Sequence, residues 1–339
     1  MKNKKYMFSI LLFIFLFFGT YYFVLKDYSL DSFKLALNSC DICYIGLAIL
    51  LLISSCFFAG LYLKRTLKHF KQDITWYQAL GYFFTETYFS AITPSSVGGQ
   101  PVEMVEMHKD KIPYRINSIV ILLNTLLYKV VLIVLAMILI TIYGRRLIFS
   151  NFWFSILMSF GFVSNLLMVL LFVVLIYSKK TIVKLGNGCL KFLEKIHILK
   201  NREEKEQDLA DALKDYQGCA RFTREHPFIL LEQFIILFFQ RITILSIPYL
   251  IYLAFGFNSF SYFEVLTLQI GITLACDFIP FPGGVGISEG LLLQVNQMLY
   301  GSIFATSAMI LFRGISFYIL VLFSGLFYMI FHFRKRKRV

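Results

Sequence analysis

The stretch ACDFIPFPGGVGISEG, residues 275–290, breaks a run of apolar sequence with two prolines, four glycines, Asp277 and Glu289. Glycine permits sharp turns and close backbone approach, and proline leaves a nearby carbonyl without its donor. Irregular backbone at membrane depth survives only when buried in protein or lining a wet cavity. If the flanking runs belong in lipid, this stretch marks a site.

The composition places them there. Of 339 residues, 58% are hydrophobic and 16% charged, with a mean hydropathy of +0.71; soluble domains use roughly 45–50% apolar residues. The chain reads as an all-α polytopic membrane protein. Its first 25 residues have a basic start and a long apolar run with no small-x-small cleavage site, which predicts an uncleaved first span. The net charge of +13 does not point to nucleic acid, because the basic residues cluster beside apolar segments, in MKNKK, KRTLKHFK, SKK and RKRKR. That is the positive-inside pattern, and it also suits anionic lipid surfaces. CDIC, with Cys40 and Cys43, is a lone pair without further ligands. It reads as two thiols, open to a disulfide outside the cell, and no metal site or cofactor is expected.

A span needs about 20 apolar residues. The sequence predicts six, at 7–25, 44–63, 116–142, 152–177, 228–255 and 302–332. Two further stretches, 76–92 and 262–279, are short, carry Glu86, Glu264 and Asp277, and run straight into Pro/Gly-rich loops. Basic flanks put both termini and the segment HKDKIPYR inside, so residues 76–112 enter and leave by one face. By the same counting residues 262–300 return to the outer face. Arg145 and Arg146 fall outside on this topology, against the rule. The expected architecture is one integral membrane domain with two span–hairpin–span repeats of opposite orientation, at 44–142 and 228–332. The two re-entrant hairpins become eight helices in all if the broken segments span. Residues 179–226 read as a cytoplasmic amphipathic connector.

The two interruptions read alike. TPSSVGGQPVE and PFPGGVGISE each set prolines around a Gly-Gly, with a glutamate four or five residues on. Inverted repeats with interrupted segments at matching places occur in transporters whose substrates sit near the midplane.

A charge at the bilayer centre costs roughly 2.5–3.5 kcal/mol on insertion scales. Lys129, Arg241 and Arg313 sit near span centres, and Glu86, Glu103, Glu106, Asp277 and Glu289 lie within or beside the hairpins. A guanidinium offers a rigid fork of donors for phosphate oxygens. The arginines, with Lys129, are therefore candidates for a lipid headgroup phosphate, while Glu103 and Glu289 suit an ammonium group or pair with the arginines. Buried ion pairs fixing helix register are the alternative. Glu232 and Glu264 lie nearer segment ends, where they would face headgroups. Enzymatic readings have less behind them. GISEG matches the letters of a nucleophile elbow around Ser288, but its context is helix on both sides. Glu103, Glu106 and His108 lack facing metal ligands.

TPSSVGGQPVEMVEMHKDKIP, IPFPGGVGISEG and LFRGISFYILVLFSGLFY together resemble the transmembrane-region family of lysylphosphatidylglycerol synthases over nearly the whole chain. The resemblance implies membrane helices with re-entrant segments, residence in the bacterial cytoplasmic membrane, and flippase-like movement of phosphatidylglycerol or its aminoacylated form between leaflets. The family pattern maps onto Pro94, Gly98, Gly99, Pro282, Gly283, Gly284, Gly286, Glu289 and Arg313, with Pro101 in the same first motif. Where many relatives carry Gly-Glu and then arginine, this chain has Gln100 and then Glu103. The resemblance also implies that the aminoacyl transferase is a separate soluble domain, not expected in this sequence, which reaches Val339 just after the last span. The expected partner is an anionic phospholipid, with a separately encoded transferase or a second copy of the chain also admissible. Two other functions fit the sequence: a phosphatidylglycerol lysyltransferase-type enzyme or its membrane subunit, and an ion-coupled small-solute carrier using Asp277 and Glu289.

Overall fold

The computed structural model describes residues 38, 40–93, 98–147, 152–177, 221–222, 224–277 and 287–336. The span at 7–25, Pro94, Pro282, Gly283, Gly284, Gly286 and nearly all of the connector lie outside them, as do the side chains of Ser288 and Glu289. The described elements are α1 (Ile42–His69), α2 (Trp76–Ile92), α3 (Gly99–Lys109), α4 (Tyr114–Leu147), α5 (Phe152–Tyr177), α6 (Pro227–Ala254), α7 (Tyr262–Cys276) and α8 (Ile287–Arg313). A π-helical turn (Gly314–Ile319) and α9 (Leu320–Arg336) follow. No strand occurs among the described residues.

The elements follow the expected breaks. Five helical runs among the described residues are long and apolar enough to cross a membrane: α1, most of α4 and of α5, α6, and residues 290–333. The chain is a multi-pass membrane protein. By contrast α2 has 17 residues and α7 has 15, about 25 and 22 Å at 1.5 Å per residue, against hydrocarbon about 30 Å thick. Helix α7 is apolar all round and buried from Val265 to Leu268 and on to Ile272, so protein rather than lipid surrounds it. The expected last span at 302–332 is the second part of a longer run, which bends at Gly301 (φ 72°, ψ 174°).

Helices α1 and α6 make the most extensive seam, and they run antiparallel along its whole length. Asp41 N–H donates to the Ala254 carbonyl at 2.9 Å, Phe58 stacks on Phe239, Thr66 bonds Gln233 at 3.0 Å, and His69 meets Glu232 at 3.2 Å. Helices α1 and α6 therefore start in opposite directions. Helix α2 packs on α9, and α7 packs on α4. Each short pair also closes on itself. Tyr77 and Glu106, near the beginning of α2 and the end of α3, both meet the last turns of α9 at Phe331 and His332. Tyr262, at the start of α7, bonds Ser246 at 2.7 Å, and Tyr300, fourteen residues into α8, reaches the Pro248 carbonyl at 3.4 Å.

Local devices repeat as well. Thr75 with Gln78 and Ser261 with Glu264 form capping boxes that satisfy first-turn N–H groups of α2 and α7. Glu264 is thus a helix cap, and Glu232 pairs with Arg65 at 3.7 Å and with His69; neither needs a headgroup to explain it. Helices α1, α3 and α6 end in a left-handed residue, Lys71 (φ 58°), Lys111 (φ 66°) and Gly256 (φ 79°). In each case the next N–H reaches five residues back, to Leu67, Met107 and Tyr252 respectively, which recovers an orphan carbonyl. Cys40 and Cys43 are not joined by a disulfide.

Hydrophobic force does not bring helices together in lipid, so close packing over small residues must do so. A Cβ on Gly161 of α5 would lie 2.0 Å from the Leu274 carbonyl oxygen of α7. Large side chains such as Trp153, Phe160, Phe228 and Ile303 are exposed, which suits a lipid-facing perimeter.

Candidate functional site

The first interruption owes its shape to Gly98 and Gly99. Gly98 N–H donates to Thr93 Oγ1 at 3.0 Å, turning the chain back on itself. A Cβ on Gly99 would stand 2.1 Å from Ser90 Oγ and 2.5 Å from the Glu86 carbonyl oxygen. Only glycine lets α3 start that close to α2. Gln100, at the position where the sequence departs from the family pattern, donates to Thr125 Oγ1 of α4 at 3.1 Å. Pro101 follows in the first turn of α3, where a missing N–H costs nothing.

That close approach stacks carboxylates. Glu86 of α2 accepts from Ser90 Oγ at 3.0 Å. Glu103, one turn beyond Gly99, is 4% exposed and within electrostatic reach of Glu86. Among the described residues Glu103 accepts no hydrogen bond and forms no ion pair. Glu106 is 1% exposed; its Oε1 accepts from Lys109 Nζ at 2.5 Å and faces His332 Nδ1 at 3.2 Å. Tyr82 donates to Asp110 beside them.

The cations meet this stack from the other side. Arg241 of α6 lays its guanidinium carbon 3.9 Å from the centre of the Tyr128 ring and lies within electrostatic reach of Glu86. Tyr128 donates to Asp277 Oδ1 at 3.1 Å, and Lys129, 8% exposed, bonds Asp277 Oδ2 at 2.5 Å. Asp277 ends α7, where the second interruption begins. One polar column therefore joins both interruptions through α4 and α6. The Lys129–Asp277 pair is locally neutral. Arg241 is not: among the described residues it has no ion pair and no hydrogen bond, and its Nε is buried without a partner.

The family described as the lysylphosphatidylglycerol synthase transmembrane region matches residues 6–324. The chain belongs to that family. No curated protein matches it significantly.

Of the site residues expected from sequence, this family member brings together Glu86, Glu103, Lys129, Arg241 and Asp277. Arg313 stands elsewhere, at the foot of the π-helical turn, with its guanidinium carbon 5.0 Å from the Phe317 ring centre. Turns of this wider kind are rare and are often found at functional sites. Sequence reading missed Tyr128, Tyr82, His332 and Lys109. Two of these are tyrosines in a chain where 18% of residues are aromatic, and that background hides them. Among the described residues no three His, Cys, Asp or Glu side chains are placed to hold a metal ion.

Proposed function

We propose that this protein moves an anionic phospholipid, phosphatidylglycerol or its aminoacylated form, between the leaflets of the bacterial cytoplasmic membrane. The observation that carries the reading is Arg241, a partly buried guanidinium inside the helix bundle with no ion pair among the described residues. A charge in low dielectric is costly unless paired. A headgroup phosphodiester would supply the missing partner, held by the guanidinium fork. The Tyr128 ring fixes the guanidinium from one face, leaving its edge for phosphate. Membership of a family described by lysylphosphatidylglycerol synthesis supports the lipid class. On this reading the two closed helix pairs are re-entrant hairpins from opposite faces, which meet at the polar column and shorten the hydrocarbon path for a headgroup. An aminoacyl ammonium would sit against Glu86 and Glu103.

Headgroup accessibility in liposomes containing the purified protein, with labelled phosphatidylglycerol and its lysyl derivative, tests the reading. The wild-type protein is expected to expose inner-leaflet lipid faster than Arg241→Ala or Arg313→Ala. Equal rates in all three, or no movement of either lipid, would remove it.

A further inference from the structure

Glu103 is an anomaly that lipid contact leaves unexplained when the site is empty. It is 4% exposed, lies one turn beyond Gly99, where α3 closes against the Glu86 carbonyl, and among the described residues has no ion pair or hydrogen-bond donor. Two carboxylates facing each other in a low-dielectric interior cannot both be charged cheaply. Arg241 lies within electrostatic reach of Glu86 but forms no ion pair among the described residues. A proton is the smallest counter-charge that fits.

The polar groups continue along α3: Glu106, three residues beyond Glu103, is buried against Lys109 and His332, and buried Tyr82 donates to Asp110 beside them. The His332 side chain is 18% exposed and that of Lys109 43%, so the rim end opens to water. Chains of Glu and His across membrane interiors are how proteins relay protons.

We propose that Glu103 and Glu86 form a proton-binding site, loaded from the rim through Glu106 and His332, whose proton is exchanged for the ammonium of an aminoacylated lipid. This rests on the lipid-transport reading. When the ammonium arrives, the O–H bond at the carboxylate breaks and the proton leaves toward the rim; when the lipid departs, the carboxylate takes a proton back. The charge on the carboxylate is balanced at both stages. Phosphatidylglycerol, an anionic phosphodiester with no ammonium, displaces no proton, so its movement ignores the pH difference.

Two readouts test this separately from lipid movement itself. The first is proton release into weakly buffered detergent solution when lysylphosphatidylglycerol is added, alongside the infrared C=O band of a protonated buried carboxyl. Wild type is expected to release protons and lose the band. Glu103→Gln should do neither, and Glu103→Asp should recover both. The second is leaflet distribution in liposomes at zero membrane potential. One proton exchanged per lipid shifts the distribution of the lysyl lipid about tenfold per pH unit and leaves phosphatidylglycerol unmoved. Absence of proton release and of the band from wild type overturns the proton site, whether or not lipid moves. A distribution that follows a sodium difference instead of pH, or that responds to pH equally in Glu103→Gln, overturns it too. Proton release without any lipid movement would sink the transport reading while leaving the proton site standing.

Discussion

The two helix pairs share a scaffold and differ in chemistry. In the first, α2 and α3 carry Glu86, Glu103 and Glu106; in the second, α7 is mostly apolar and buried from Val265 to Ile272, with Glu264 in its cap and Asp277 just past its last residue. Both begin with a capping box and both close at their own end of the molecule. The difference teaches that the architecture is carried by caps, glycines and seams, while among the described residues most of the buried carboxylates stand in the first pair. Among the described residues the second pair contributes Asp277, which anchors Lys129.

The largest effect that would break this division is on transport through Arg241. Arg241→Leu should slow lipid movement about 10- to 100-fold, the worth of losing charge-assisted contacts of about 1.5–3 kcal/mol. Thermal unfolding should be unchanged or shifted upward, because the substitution removes a poorly compensated charge. A fall in both would make Arg241 structural.

Lys129 comes next, with the reverse expectation. Lys129→Met leaves Asp277 buried and alone, at a cost of about 3–5 kcal/mol in stability. Adding Asp277→Leu should recover most of that in a denaturation assay. If the double variant is no more stable than the single, the pair is not the anchor between repeats.

The neck of the first pair sharpens the comparison further. Gly99→Ala forces Ser90 and the Glu86 carbonyl apart and should cost about 1–3 kcal/mol, the usual toll of overpacking. Gly290→Ala, where an added Cβ meets nothing within 4 Å, should gain up to about 1 kcal/mol from helix propensity. Equal effects on melting temperature would deny the close approach at Gly99. The smallest effects belong to the matched caps: Thr75→Ala and Ser261→Ala should each cost about 1 kcal/mol. Very different losses would show that the two pairs do not bear load alike.

Much of this fold is legible in the sequence because lipid imposes lengths. The helix at Phe152–Tyr177 matches the apolar run 152–177, and Pro227–Ala254 differs by one residue at each end from 228–255. The short segments stand out because charge and Pro/Gly cut them off. Pairing is not legible. Lys129 and Asp277 are 148 positions apart, and nothing in the local pattern of either names the other. Sequence reading set Asp277 beside Glu289, on proximity along the chain. Glu106 looks like one of several helix carboxylates until His332 arrives from the far end of the chain.

The left-handed helix ends carry a further consequence. At Lys71 and Lys111 a side chain occupies a conformation that costs an L-residue about 1–2 kcal/mol, whereas Gly256 takes the matching position of the other repeat without strain. Both lysines cap the end of the molecule that also bears Lys64, Arg65, Lys68 and Lys109. If this end faces the cytoplasm, as the positive-inside rule expects, strain at these turns accompanies a basic end that would favour one sense of insertion. Which way round the molecule sits would then be recorded in its backbone angles: glycine at Lys71 and Lys111 would give a more relaxed protein with a weaker compass.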